Sequence, residues 1–181
     1  AKRVKVNPYY SHAQANPAKV RKKLRKDAQG FYLLKHGDQV ARENAPQFAQ
    51  KSIEIKLSVT RGREKGGVLI SHGGSRSGYS LYLVDGKPVF SCRLGGTLHT
   101  FRATKALPEG RASLSATLLP DGKVSLILEN EVVAEGKLPG LFNTHPQDPL
   151  EIGNDSQSTV TSYPSNPRFK GKVNEAKLKL K

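Results

Sequence analysis

The stretch from Ser52 to Val84 restricts the fold of this chain more than any other. Residues 52–59 alternate polar and apolar side chains at every step, and a period of two places their aliphatic side chains on one face of a β-strand. Glycine pairs at 66–67 and 73–74 bracket the next apolar run and allow the chain to reverse tightly. This stretch therefore predicts antiparallel strands joined by tight turns.

Similar turn signals continue along the chain. Asp85-Gly86, Gly95-Gly96 and Asp121-Gly122 each separate two short runs of alternating hydrophobicity, which is typical of β-hairpins. The spacing of roughly 8–12 residues between turns is that of sandwiches and barrels, and no long helical pattern interrupts it. We expect an all-β, two-sheet antiparallel jelly-roll sandwich.

The positive charge is concentrated at the N-terminus. The net charge is +15, and residues 1–26 contain nine Lys and Arg residues but no acidic residue. We therefore divide the chain into a basic N-terminal arm (1–29) and the sandwich (30–181). Within the arm, residues 18–26 favour a short helix because Val20 and Leu24 would share one face.

A basic block of this kind either attracts polyanions or is simply a solvated tail. Cations in the loops next to the glycine pairs would extend the patch, because we expect those loops to cluster at the ends of the strands. The candidate polyanion-binding residues are Lys19, Arg21, Lys22, Lys23, Arg25, Lys26, Arg61, Arg63, Lys65 and Arg76.

The run from Gly67 to Phe90, with the Asp121-Gly122 turn and the Leu150-Glu151-Ile152-Gly153 segment, resembles laminin-G/concanavalin A-like modules. It is most similar to the accessory domain at the C-terminus of planctomycete-type bacterial arylsulfatases, and the resemblance covers about residues 30–181. It implies a non-catalytic domain of a secreted, periplasmic or cell-surface protein that acts near polysaccharides. The chain has no apolar run of the ~20 residues that cross a membrane, and no signal peptide is visible.

The residues that would support catalysis are missing. The only cysteine, Cys92, lacks the proline and arginine of a sulfatase nucleophile motif, and we expect it to be a core residue. Glu129 and Glu131 flank a turn, so we do not expect them to converge as a glycosidase pair. We therefore predict that the protein is not an enzyme.

Metal and sugar sites have only weak signals. The five histidines form no metal-type pair, and a structural role is the preferred interpretation of His72. Calcium needs six to eight oxygen ligands. A hydrogen-bonded turn explains the few oxygens near residue 155 better than calcium does. The calcium candidates are Asp148, Asn154, Asp155 and Ser156, and the candidate sugar contacts are Tyr82, His99, Phe101 and Tyr163.

The leading hypothesis is an extracytoplasmic binding or assembly module that engages anionic glycan or an acidic protein surface. The first alternative is a structural subunit of a larger homo- or hetero-assembly, tethered by its arm. The second is the accessory part of a sulfatase-type enzyme. Nucleic-acid binding is disfavoured, because the charge allows it but no RNA-reading motif is present.

Overall fold

The computed structural model describes residues 23–181, in which the predicted strands form two antiparallel sheets of six strands each. The first sheet contains, in spatial order, β1 (Tyr32–Leu34), β12 (Lys172–Leu180), β3 (Ile53–Arg61), β8 (Gly110–Leu118), β9 (Lys123–Leu128) and β10 (Glu131–Lys137). The second sheet contains β2 (Gln39–Val40), β11 (Leu150–Ile152), β4 (Gly67–Gly73), β5 (Gly78–Val84), β6 (Lys87–Leu94) and β7 (Thr97–Arg102). The predicted all-β jelly roll is confirmed.

The first sheet follows the alternation of the sequence closely. On β3 the aliphatic side chains from Ile53 to Val59 are buried, and the polar residues between them face outwards. β3 pairs with β8 so that Ile55 lies opposite Ala116 and Leu57 opposite Leu114, all of them in the core. Burial of one face thus fixes the register, because a slip by one residue would expose every one of these side chains.

The second sheet is covered on both faces along β4, β5 and most of β6, whereas its edge strand β7 is largely exposed. Its inner face contributes Tyr79, Leu81 and Leu83 to the main core, as the alternation predicts. Its outer face is covered by residues 153–168, which we call the strap. The sequence of residues 154–168 predicts a polar loop, yet Val160 is fully buried and Tyr163 packs on the sheet.

Two details differ from the expectations. Of the short helix predicted at 18–26, residues 18–22 lie outside the described range, and residues 23–26 are not helical. Lys26 instead forms an isolated antiparallel bridge with Tyr32, and Leu24 is buried in the main core. The run His36-Gly37-Asp38-Gln39 predicts a turn, but this turn is shorter, because Gln39 already belongs to β2 and pairs with β11.

One end of the core is aromatic. The rings of Phe48, Tyr79 and His145 lie 4.7, 5.8 and 5.4 Å from the ring of His72, and Phe142 packs against Phe48. His72 is fully buried, so it has a core position rather than a place in a loop. Strands account for all the regular secondary structure between residues 23 and 181, and no helix there is long and apolar enough to cross a membrane.

Candidate functional site

A segment with cations at alternate positions runs beside the start of β4. The Val68 N–H donates to the Pro167 carbonyl (2.7 Å), and Val68 forms an isolated parallel bridge with Arg168. The ring of Phe169 is buried. Because neighbouring side chains of an extended chain point in opposite directions, burial of Phe169 turns Arg168 and Lys170 towards solvent.

Arg168 and Lys170 line two adjoining depressions, which we together call the cationic cleft. The smaller depression, about 210 Å³, lies between this segment and the loop after β3, and that loop contributes Lys65. The larger one, about 510 Å³, is walled by the turn before β2, by β11 and by the start of the strap. The cleft therefore collects cations from parts of the chain about 100 residues apart.

The cleft is lined by three cations (Lys65, Arg168 and Lys170) together with three acidic residues (Glu64, Asp38 and Glu151). None of the ion pairs formed within residues 23–181 includes Lys65, Arg168 or Lys170. Glu64 also lines the smaller depression, where its Oε2 accepts a hydrogen bond from the Gly62 N–H (2.6 Å). The three cations are exposed and can contact an anionic group, whereas the carboxylates of Glu64 and Glu151 accept hydrogen bonds from backbone N–H groups.

His36 lines the larger depression as a neutral ring. Its Nδ1 accepts a hydrogen bond from the Val173 N–H (3.1 Å). Partial burial lowers the pKa of His36, and the charges of Lys172 and Arg168 lower it further.

The carboxylate of Glu151 forms part of the opposite wall and is fully engaged. Its Oε1 accepts hydrogen bonds from Gln39 Nε2 (3.2 Å) and Ser156 Oγ (2.7 Å), and its Oε2 accepts from the Ser156 N–H (2.7 Å). Glu151 is buried, so these three donors offset the cost of removing its charge from water. They also tie the strap to β11 and fix this wall of the cleft.

The predicted arm cations that the structure describes lie apart from the cleft. Lys19, Arg21 and Lys22 lie outside the described residues. Lys23, Arg25 and Lys26 line a separate depression with Tyr32 and Lys51.

The loop cations also separate. Arg61 acts as a brace, because its Nε donates to the Leu107 carbonyl (2.7 Å) and its Nη1 to the Glu64 carbonyl (2.9 Å). Arg63 is exposed in the same loop. Arg76 lies at the other end of β4, about 20 Å away at 3.3 Å per residue. The expected clustering of Arg76 with the 61–65 loop is therefore wrong, because the full length of a strand separates them.

Arg168, Lys170 and Lys172 are not among the binding residues predicted from the sequence. Their alternation with Phe169 was visible in the sequence, and it is the same signal that identified β3. What the sequence did not show is the pairing of Arg168 with Val68, which brings the segment beside the loop that contains Lys65.

The predicted sugar contacts do not form a platform. Tyr82 does point to the outer face, but it is 5% exposed because the Tyr163 ring covers it at 5.0 Å. Its hydroxyl is 2.9 Å from Ser91 Oγ. His99 and Phe101 are half-buried on β7, three strands away from β4 in the same sheet. A planar aromatic surface at Tyr82 is therefore excluded by the strap.

Of the calcium candidates, Asp155 is held by hydrogen bonds within the strap. Asp155 is buried, and its Oδ2 accepts hydrogen bonds from the Tyr163 hydroxyl and the Val160 N–H. Burial raises the pKa of Asp155 to about 6, and the charges of Glu151 and Asp148 contribute to the rise. The two hydrogen bonds lower this pKa but do not outweigh burial. Within residues 23–181 no group of three or more His, Cys, Asp or Glu side chains is arranged to hold a metal ion. The expectation of no cofactor, with calcium at Asp148, Asn154, Asp155 and Ser156 as the weaker alternative, stays a prediction.

The other candidate chemical groups have structural roles. Cys92 is fully buried, as expected, and burial raises the pKa of its thiol. Glu129 Oε1 accepts from the Ser113 N–H (2.8 Å), whereas Glu131 pairs with Lys105 at 2.7 Å. The two carboxylates thus serve different partners.

Comparison with known structures supports the fold. No protein-family model matches the chain. The chain is similar to domains LG4-5 of the mouse laminin α1 chain, with a TM-score of 0.61 and 20% identity over 87% of this chain and 40% of that one. It is also similar to the receptor binding domain of botulinum neurotoxin D (TM-score 0.53, 10% identity, 87% of this chain and 41% of that one). For a mutant of the NanB sialidase from Streptococcus pneumoniae, the TM-score is 0.55 at 13% identity, over 80% of this chain and 26% of that one.

The chain spans less than half the length of each of these proteins. At such identities the similarity establishes the laminin-G type of jelly-roll fold. None of the three is a sulfatase, so the link to sulfatase accessory domains stays a prediction.

Proposed function

We propose that this protein is a non-enzymatic binding module that engages an anionic polymer, either an anionic glycan or an acidic protein surface, through the cationic cleft. The observation that carries the proposal is the convergence of Lys65, Arg168 and Lys170 on one concave surface. We expect these exposed cations, which form no ion pair within residues 23–181, to attract polyanions in a salt-sensitive way. The cations of residues 1–22 would add to the attraction from outside the cleft.

The laminin domains and the toxin receptor binding domain that share the fold are consistent with a binding role outside the cytoplasm. We place this protein in the same setting, as a secreted, periplasmic or cell-surface module. A role as the accessory part of a sulfatase-type enzyme, or as a tethered subunit of an assembly, would use the same cleft for docking.

The proposal is tested by retention of the full chain on immobilised heparin at rising salt. The variant Arg168→Ala/Lys170→Ala removes two cations from the cleft. The matched control Arg102→Ala/Lys137→Ala removes the same charge from β7 and β10, the strands at the far edges of the two sheets. A third variant, Arg21→Ala/Lys22→Ala, measures the contribution of the arm.

We expect the cleft variant to elute at clearly lower salt than the control, with an affinity for heparin about fivefold to twentyfold below that of the wild type. Equal shifts in the cleft variant and the control would mean that only net charge matters, and would refute a localised site. A large shift in the arm variant alone would move the site to residues 1–22.

A further inference from the structure

The ring of His36 is held in one orientation on the wall of the cationic cleft. Gly153, at φ +86°, lies directly against it, and an ideal Cβ at this position would be 2.6 Å from His36 Cε1. Phe169 packs on another side, with ring centroids 6.4 Å apart. Only glycine at 153 leaves room for the ring, so the imidazole is fixed by its surroundings rather than free to rotate.

The hydrogen bond to the backbone determines which nitrogen of His36 carries the proton. Nδ1 accepts from the Val173 N–H, which requires a lone pair on Nδ1. The hydrogen of the neutral ring is therefore on Nε2. None of the hydrogen bonds within residues 23–181 uses Nε2 of this ring, so its N–H is available to a ligand in the cleft.

Burial, and after it the neighbouring cations, favour the neutral form of this ring. The positive charges of Lys172 and Arg168 disfavour protonation of His36. The other charged residues of this depression are Lys170, Asp38 and Glu151. Protonation of Nδ1 would also break its hydrogen bond with Val173, because the Nδ1–H and the Val173 N–H would then both be donors. Burial and the neighbouring cations lower the pKa of His36 accordingly.

We infer that His36 is a specificity-determining residue of the cationic cleft, which donates a neutral hydrogen bond from Nε2 to an oxygen of the acidic group held by Arg168 and Lys170. This inference rests on the proposed function. The two cations attract any anion, whereas the directional N–H selects an oxyanion, such as a sulfate ester or a carboxylate, in one orientation. The ring therefore contributes geometry to the site and no charge.

The test compares wild-type protein with His36→Asn, with a heparin-derived hexasaccharide as the probe. The Asn amide oxygen replaces Nδ1 as the acceptor for Val173, but nothing replaces the Nε2 donor. We expect the affinity of His36→Asn to fall about tenfold at pH 7.5. We also expect wild-type affinity to stay nearly constant from pH 8 to pH 6.5 at fixed ionic strength, whereas a charged histidine would strengthen binding as the pH falls.

Nitrogen-15 NMR of histidine-labelled wild-type protein provides a second readout that does not depend on the variant folding. It should show the tautomer of His36 with hydrogen on Nε2 and a shift of that nitrogen when the hexasaccharide binds. An unchanged Nε2 signal, or binding by a folded His36→Asn variant at wild-type strength, would overturn the inference. If Arg168→Ala/Lys170→Ala still loses binding in that case, only the role of His36 fails. If this double variant also binds normally, the proposed function fails as well.

Discussion

His72 makes the stability of this protein sensitive to acid. Its ring is fully buried, and neither ring nitrogen has a hydrogen-bond partner within residues 23–181. Burial lowers the pKa of His72 from 6.5 to about 3, and the charge of His145 adds to the decrease. The folded protein therefore holds this ring neutral at pH values at which an unfolded chain would protonate it.

The sign and size of the effect follow from this difference. Below pH 6.5 the unfolded chain gains a proton at His72 that the folded chain does not bind until about pH 3. Folding stability is therefore complete above pH 6.5 and is lost progressively as the pH falls towards 3. The loss is about 1.4 kcal/mol per pH unit, which gives about 3 kcal/mol at pH 4.5.

The informative variant is His72→Phe, measured by urea unfolding at pH 7.5 and pH 4.5. Phenylalanine keeps an aromatic ring against Phe48 and Tyr79 but removes the two unpartnered nitrogens. We expect the variant to be about 1–3 kcal/mol more stable than wild type at pH 7.5, because buried polar atoms without partners are costly. The difference should widen by about 3 kcal/mol at pH 4.5.

The control is His99→Phe, which removes a half-buried histidine from β7. It should leave most of the acid sensitivity in place. If His72→Phe loses as much stability in acid as wild type, His72 is not the acid-sensitive group. A clear loss of stability at pH 7.5 would show that the ring nitrogens have partners in solution, and would refute the reasoning.

Three further predictions concern the packing of the sandwich, and each is measured by thermal or urea unfolding. Gly67→Ala should lower the free energy of unfolding by more than about 2 kcal/mol, because φ is +110° and a Cβ would lie 2.6 Å from the backbone of Phe169. The control Gly95→Ala should cost less, because the space around Gly95 is open. Tyr163→Phe should lower the free energy of unfolding by about 1–3 kcal/mol at pH 7.5, because the lost hydroxyl donates to the Asp155 carboxylate. The cost should be smaller at pH 4.5, below the pKa of Asp155, which is raised to about 6. An equal cost at both pH values would contradict this account. Leu24→Ala should cost about 2–3 kcal/mol, because this side chain is 8% exposed within the main core, and an unchanged midpoint would show that residues 23–29 do not stabilise the sandwich.

The sequence predicted the strands best where only one face is buried. On β3 the alternation marks the inner face directly, and the glycines around β4 and β5 compensate for the lack of alternation on strands that are buried on both faces. No period marks the strap, because Val160 and Tyr163 are isolated apolar residues in a polar stretch. The strap covers Tyr82 through long-range contacts, which the sequence does not reveal, and this is why Tyr82 was predicted as a sugar contact.

Of the three cleft cations, only Lys65 is among the residues predicted from the sequence, because the cleft also depends on long-range strand pairing. Lys65 was identified from its loop, but its partners Arg168 and Lys170 come from a segment placed by pairing with β4. Arg76 was wrongly grouped with the 61–65 loop, because the sequence does not show that the full length of β4 separates them. Charge composition indicates that a chain is cationic, but strand register decides which cations meet.

The strap has a consequence for how such modules diversify. One end of it is fixed to β11 through Ser156 and Glu151, and the other end holds Arg168 beside Val68. Insertions or deletions at its exposed tips would leave both attachments in place, so homologues can vary the outer surface without moving the cations. Changes near Pro167 would instead shift the spacing between Arg168 and Lys65, and with it the size of the anionic group that fits between them.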